Sequence, residues 1–403
     1  MMELFLLEHR KLWRRGTTKV CVFVCFVYAV LFGSVLSFQW FSFGSSNHTD
    51  SFGNNFDGYR MIRDCQEYSR AFGGELTDES FQQMVRDYQE VEAAHMDRRL
   101  QLTDRQGIQG WLEALYPELK DSSSLKLMVS YVDPDELTGF YERRQQAVGT
   151  FLEISGQEGR EKEYLMQMEQ SVQKPFRYEW TEGWSAVLST IAGETGTVMA
   201  VFLAIVLSPL FAGERRDGIK VLMLTTKNGW RKTAFAKILT GLCFALEFFA
   251  VIAAGQVASQ LFFLGTAGWD MPIQNIKLIA VAPMNMLQAE IYEYAFTLLG
   301  MIGYAGIVML LSAAAGSSVL AMVSSLAAVL VPTALENYLP FWLQKAKDLI
   351  PLVGTGTDIF RTNTLCIFGR YIWSPYLLIT IPVLIGMLCV PFAVKGWARR
   401  MRV

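Results

Sequence analysis

The chain has little charge and little of the side-chain chemistry that enzymes are built around. Only 18% of its 403 residues are charged, against 52% hydrophobic, which is too apolar for an ordinary soluble domain. Three histidines, His9, His48 and His95, are scattered without metal-ligand spacing, so no metal site follows from them. No G-x-x-x-x-G-K-[ST] phosphate loop occurs, and "GTGTDIFR" at 354–361 lacks the lysine. ATP hydrolysis by this chain alone therefore has no motif behind it. H-E-x-x-H and G-x-S-x-G are missing too, which removes zinc-protease and serine-hydrolase readings. Cysteine is sparse: Cys21, Cys25, Cys243 and Cys389 fall inside apolar runs, where a thiol behaves as a small hydrophobe. Only Cys65 and Cys366 lie in polar or boundary segments, and no spacing signature joins them in a disulfide. No repeat with a period of about 20 to 50 residues is visible.

What the chain has instead is long apolar runs. A bilayer core about 30 Å thick takes roughly 20 apolar helical residues, because lipid offers backbone polar groups no partners. Six segments qualify: Val20 to Phe38, Ser189 to Ala212, Thr233 to Leu264, Ile291 to Ala314, Ser317 to Leu335 and Trp373 to Val394. No small-residue cleavage site follows "VLFGSVLSF" in the first, which reads as a retained anchor rather than a signal peptide. The third is longer than a span needs, so it tilts or extends beyond the membrane. Gly316 implies a tight helical hairpin between the fourth and fifth.

Cations set the orientation. Arg10, Lys11, Arg14 and Arg15 precede the first run; Arg215, Arg216, Lys220, Lys227, Arg231, Lys232 and Lys237 cluster between the second and third; Lys395, Arg399, Arg400 and Arg402 end the chain. An even number of spans puts all three clusters on one side, which the positive-inside rule makes cytoplasmic. The expected fold is an all-α polytopic protein of the cell membrane with six transmembrane helices and both termini cytoplasmic. Residues 1–17 form an interfacial helix, 18–38 the first span, 39–186 a large extracytoplasmic domain, and 187–403 the five-helix remainder.

The domain at 39–186 reads as mainly helical. Thr77 caps one helix, Asp78 and Glu79 favour its positive end, and Phe81, Met84, Val85 and Tyr88 share its apolar face. "DRQGIQGWLEALYPEL" and "DELTGFYERRQQAVGTFLEI" suggest further helices, whereas "LKLMVSYV" is a strand or a short helix. "FGSSNHTDSFGNNFDG" reads as a flexible leading loop, with a glycosylation sequon at Asn47.

Two features stand apart from this scaffold. Between residues 213 and 232, Ile219, Val221, Leu222, Met223, Leu224 and Trp230 alternate with the cations. A solvated turn that merely holds orientation needs no such apolar content. The pattern permits a short amphipathic helix, ended near Asn228 and Gly229, that faces either the lipid surface or a cytoplasmic partner. The second feature is Glu247, near the middle of the third run, where an ionised carboxylate costs about 2.5 to 3.5 kcal/mol. It faces protein or water, or is protonated. Its role is either substrate passage or proton coupling, or a hydrogen bond to another helix with help from Gln256 or Gln260.

At this point the chain resembles the membrane subunits of type-2 ABC exporters. In that family a segment after the second span runs Phe, two residues, Glu, three residues, Gly, an apolar stretch, Arg and Lys. Here Phe211, Glu214, Gly218, Leu222, Arg231 and Lys237 stand in that order. The family often has Ser or Thr with Pro ahead of the Arg; this chain has "TTKNGW" and no Pro. "LLEHRKLWRR" is similar to the family's N-terminal interfacial helix, with Phe5, Leu6, Leu12 and Trp13 on one face. "NYLPFWLQKAKDLIPLVGTGTDIF" resembles its extracellular pair of half-helices, here assigned to 337–371 and divided by Pro351.

The resemblance implies that the segment at 213–232 is a coupling helix docking on an ABC ATP-binding subunit. Its contacts would be Glu214, Arg215, Arg216, Asp217, Gly218, Leu222, Leu224, Lys227 and Arg231. It implies a permease dimer in membrane lipid, no nucleic-acid partner, no cofactor on this chain, and ATP with Mg on the partner subunit. The expected cargo is a hydrophobic or amphipathic compound such as an antimicrobial, peptide or drug. The alternative is a membrane-anchored sensor or assembly factor that signals from its ectodomain.

Overall fold

A computed structural model describes residues 1–43, 58–93, 107–119, 129–190, 195–216, 229–335, 338, 340, 352, 358–362 and 364–402. The leading loop with Asn47, Pro351 and most of the expected half-helix pair lie outside them. The described chain is mostly helical. Four helical stretches are long and apolar enough to cross a membrane: Gly196–Gly213, Trp230–Leu264, Met286–Ala314 and Ser374–Ala398. Gly16–Leu31 and Ser318–Ala334 are shorter apolar stretches.

The chain opens with α1 (Met2–Arg14), which Arg15, in extended conformation, separates from α2 (Gly16–Phe43). The region expected to form a separate domain follows: α3 (Gly58–Ala71), β1 (Gly74–Glu75), α4 (Asp78–Ala93), α5 (Ile108–Leu115), α6 (Phe140–Ile154), α7 (Gly159–Gln170), β2 (Arg177–Tyr178) and α8 (Glu182–Thr190). Strands β1 and β2 pair antiparallel. Thr77 does cap α4: its hydroxyl accepts from the Ser80 amide at 3.2 Å, and the Ser80 hydroxyl accepts from the Thr77 amide at 2.8 Å, a reciprocal cap. Phe81, Met84, Val85 and Tyr88 are buried as their spacing implies. Of "LKLMVSYV", residues Val129–Tyr131 form a turn of 3-10 helix rather than a strand.

The membrane-type helices are α9 (Gly196–Leu207), α10 (Pro209–Arg216), α11 (Gly229–Leu264), α12 (Met286–Ala314) and α13 (Ser318–Ala334). Strands β3 (Thr364–Ile367) and β4 (Arg370–Trp373) then lead into α14 (Ser374–Leu378) and α15 (Ile381–Arg402). Three boundaries differ from the sequence reading. Helix α12 starts at Met286 rather than Ile291, because Asn285 and Gln288 form a capping box that fixes the first turn earlier. The last run is two helices, since Pro382 cannot donate to the preceding turn and ends it. From Thr364 the region assigned to half-helices is an antiparallel hairpin. Phe368 and Gly369 both take positive φ there, the conformation a two-residue hairpin turn demands. No disulfide joins Cys65, which is buried, to Cys366, which is exposed on β3.

Helix α12 is the hub of the bundle, packing against α9, α10, α11, α13 and most extensively α15. The crossing with α15 is made by glycines. A Cβ added to Gly306 would sit 2.8 Å from the Gly386 Cα, and one on Gly386 would sit 2.7 Å from the Gly303 Cα. Two backbones thus touch, as small residues allow between helices in lipid. The outer face of α15 leaves Leu384, Met387, Leu388 and Phe392 exposed, an apolar surface suited to lipid.

Replacing Gly306 with Val is expected to force α12 and α15 apart and to abolish monodisperse protein in mild detergent. Gly316→Val, where nothing lies within 4 Å of the added Cβ, is expected to behave as wild type. Size-exclusion profiles of the two variants check this.

Candidate functional site

Glu247 is held by the N-terminal helix. Residues His9 and Trp13, one turn apart on α1, both reach its carboxylate: Trp13 Nε1 donates to Oε2 at 2.9 Å, and His9 Nε2 lies 3.2 Å from Oε1. The Trp13 ring also packs edge-on against Phe244 at 5.5 Å. Nearby, the buried Lys237 Nζ donates to Glu8 at 2.7 Å. Glu247 thus makes the helix-to-helix bond that was one of its two expected roles, with a partner the sequence did not suggest. Neither expected helper takes part. Gln256 and Gln260 lie two and three turns further along α11, and Gln260 Nε2 donates to the Ala186 carbonyl at 3.3 Å.

Of the residues expected to contact an ATPase partner, Glu214, Arg215 and Arg216 close α10. Asp217, Gly218, Leu222, Leu224 and Lys227 lie outside the described residues. Arg231 is exposed on the first turn of α11, its guanidinium over the Trp230 ring at 5.1 Å. Helix α10 is set off from α9 at Pro209, which has no amide proton to continue the helical ladder. Ser312 of α12 fills the break from the side. Its hydroxyl donates to the Ser208 carbonyl at 2.6 Å and accepts from the amides of Phe211 and Ala212 at 3.1 and 3.2 Å. Phe211 packs edge-on against Trp397 of α15 at 5.5 Å. The short helix is therefore fixed to two long ones through specific contacts.

At the other end of the bundle the α3–α8 region is joined to the long apolar helices. The carbonyl of Leu264, last in α11, accepts from Trp180 Nε1 at 2.7 Å and Gln66 Nε2 at 2.9 Å, so side chains of the α3–α8 region cap that helix. Trp184 Nε1 reaches the Thr266 carbonyl at 3.1 Å. Arg144, fully buried on α6, donates from Nε to the Leu278 carbonyl at 2.8 Å and from Nη2 to Ala280 at 2.9 Å. It also pairs with the buried Glu169 of α7, which Lys174 approaches at 2.9 Å. Burial pulls the Arg144 guanidinium below its usual range, and Glu169 opposes that shift. Hairpin β3–β4 joins the same assembly, as Thr364 Oγ1 donates to Glu161 at 2.5 Å. One apolar cluster runs through the seam, with Val148, Leu152 and Leu165 against Met271, Ile273, Met286 and Trp373.

Sequence reasoning missed two features. Arg144 sits in "ERRQQ", where its pattern is that of an ordinary solvated charge. Glu290 and Glu293, at 5% and 0% exposure, stood at the expected edge of a span and fall inside α12 once the helix starts at Met286. The capping pattern "NMLQ" was the available signal for them. Comparison of the chain with protein-family models, curated proteins and solved structures finds no match to any of them.

Glu247→Gln is expected to loosen α1. The pair is partly exposed, so the cost is about 1 kcal/mol, or about fivefold faster amide exchange across residues 2–14, measured by hydrogen-exchange mass spectrometry. Glu169→Gln leaves Arg144 buried without its carboxylate and is expected to cost about 3 to 5 kcal/mol. Earlier proteolytic cutting in the 265–285 loop and a lower denaturation midpoint are the readouts.

Proposed function

We propose that this chain is the membrane-spanning permease subunit of an ATP-driven ABC exporter. It moves a hydrophobic or amphipathic compound, such as an antimicrobial, a peptide or a drug, with ATP and Mg held on a separate ATPase subunit. The observation that supports this best is the placement of α10. A helix that carries Phe211 and Glu214 of the exporter-like pattern is broken from α9 at Pro209, yet bonded to α12 by Ser312 and packed on α15 by Trp397. A push on that helix by a partner is delivered to the α12–α15 pair, so closure of an ATPase below becomes motion of spans above.

In this reading α2, α9 with α10, α11, α12, α13 and α15 are the six spans. Both termini face the cytoplasm, the ectodomain faces outward, and two such chains form the permease in the cell membrane. The segment at 213–232 is the coupling helix, and α1 lies in the inner interface with its apolar side on α11. The alternative, a sensor or assembly factor, draws support from the ectodomain seam, since a domain bonded to α11 and its following loop is built to transmit force inward as well.

Affinity purification of the intact protein in mild detergent separates the two. Mass spectrometry is expected to find a Walker-motif ATPase with the wild type and to lose it when Glu214 and Arg231 are both changed to Ala. Failure to recover any ATPase, where a known exporter keeps its own, would transfer the assignment to the sensor.

A further inference from the structure

The β3–β4 hairpin shows its apolar side chains to solvent. Every residue from Leu365 to Arg370 is exposed, and the first four, Leu365, Cys366, Ile367 and Phe368, are apolar. A run of that length is a fault in water unless something covers it. Neither face of the hairpin is polar. Ile372 stands opposite Leu365 and shares a face with Ile367, while Tyr371 stands opposite Cys366 on the other face. The turn adds a second sign. Phe368 is fully exposed there and holds φ at 50°, a conformation that suits asparagine or glycine and strains a bulky residue. Strain of this kind gathers where a side chain has a role outside the fold.

What covers the hairpin follows from where it is rooted. Strand β4 ends at Trp373, and the apolar stretch Ser374–Ala398 begins at the next residue. The Tyr292 hydroxyl donates to the Pro375 carbonyl at 2.5 Å, so the root lies beside the second turn of α12, about 9 Å along that helix from Met286. The 29 residues of α12 make about 43 Å of helix, against a hydrocarbon core about 30 Å thick. Centred on that core, α12 puts Tyr292 at its boundary. Beyond the root, Tyr376 is exposed, and Leu384, Met387, Leu388 and Phe392 leave apolar surface open along α15. Apolar surface thus lies on both sides of the point where hairpin and helix meet. Arg370 at the turn is an exposed cation, and Tyr371 and Tyr376 are amphipathic rings, the residue types that bilayer interfaces favour.

We infer that the β3–β4 hairpin is an anchor on the bilayer surface. Phe368, with Leu365 and Ile367, enters the layer beneath the lipid headgroups, and Arg370 meets their phosphates. The inference rests on the reading that Ser374–Ala398 crosses a membrane. Lipid fits better than a second copy of the chain, because strands of four residues offer little edge for pairing and the largest exposed ring is at the tip. The strand edges stay in the hydrated layer, since hydrocarbon gives unpaired backbone groups no partner.

The fluorophore NBD, attached to the native Cys366 thiol, reports where the hairpin lies. The full chain is placed in nanodiscs of phosphatidylcholine and phosphatidylglycerol, and the signal of identically treated Cys366→Ser protein is subtracted for the other cysteines. Lipids spin-labelled near the headgroup are expected to quench the label, and aqueous iodide to reach it poorly. Phe368→Asn is expected to lower lipid quenching at least about twofold and to admit iodide, because an apolar ring no longer holds the tip in lipid. Asn-Gly is the pair this turn favours, so the variant keeps its hairpin. Phe368→Trp, which retains a large ring, is expected to match the wild type. Free access of iodide in the wild type overturns the proposal, and so does unchanged lipid quenching in Phe368→Asn. Quenching by neither reagent also overturns it and places the hairpin under protein, a second copy included. The same label on Leu388→Cys in the Cys366→Ser background tests the span by itself: lipids spin-labelled deep in the chain quench it if Ser374–Ala398 crosses the membrane, whatever the hairpin does.

Discussion

The placement of one guanidinium organises the end of this molecule where α3 to α8 meet the bundle. Arg144 lies on α6, yet two of its three hydrogen-bonding directions are spent on carbonyls of the loop between α11 and α12. Those carbonyls belong to irregular backbone and have no helical donors to turn to, so they need a partner from elsewhere. Glu169 keeps the cation neutralised, and the Phe176 ring lies 5.0 Å from its centre. An apolar residue at 144 would remove the buried charge but orphan the Leu278 carbonyl and leave Ala280 only the Gln274 amide at 3.0 Å. The site thus differs from buried ion pairs that hydrophobic residues replace without loss. Because the loop is fixed, so are the end of α11 and the start of α12, and the α3–α8 region and bundle share a continuous core.

The same helix, α12, is gripped at both ends by different chemistry. Near its start, the capping box at Asn285 follows directly on the loop that Arg144 holds. Near its end, Ser312 closes the break between α9 and α10. Between these points Gly303 and Gly306 press against Gly386 with no side chain to act as a cushion. A close backbone contact of this kind transmits displacement with little slack, because packed interiors shift between discrete arrangements rather than deforming smoothly. A displacement of α10 is therefore tied through α12 to the α3–α8 region.

Much of the scaffold was legible in the sequence because its signals are local. Hydropathy placed the apolar helices, Thr77 and its neighbours fixed α4, and Gly229 marked the start of α11. The amphipathic reading of residues 5–13 held in part: Leu12 is buried and Trp13 packs on Phe244 of α11, whereas Leu6, expected on the same face, is exposed. What escaped was long-range. Nothing around Arg144 announces that carbonyls 134 and 136 residues away will take its protons. Nothing around Glu247 points to His9 and Trp13. The hairpin at 364–373 was missed because a family resemblance for the preceding segment was extended over a turn, Phe368–Gly369, whose own chemistry says strand.

The two kinds of intramembrane acid show why a hydropathy window misjudges cost. Glu247 looked the more expensive because it lies deep in an apolar run, but its side chain is 44% exposed and two donors from α1 meet it. Glu290, just outside the expected start of the fourth run at Ile291, was passed over, yet the helix cap at Asn285 puts it inside α12 and leaves it 5% exposed without a partner. A window averages over neighbours in sequence, whereas the penalty for a charge depends on neighbours in space.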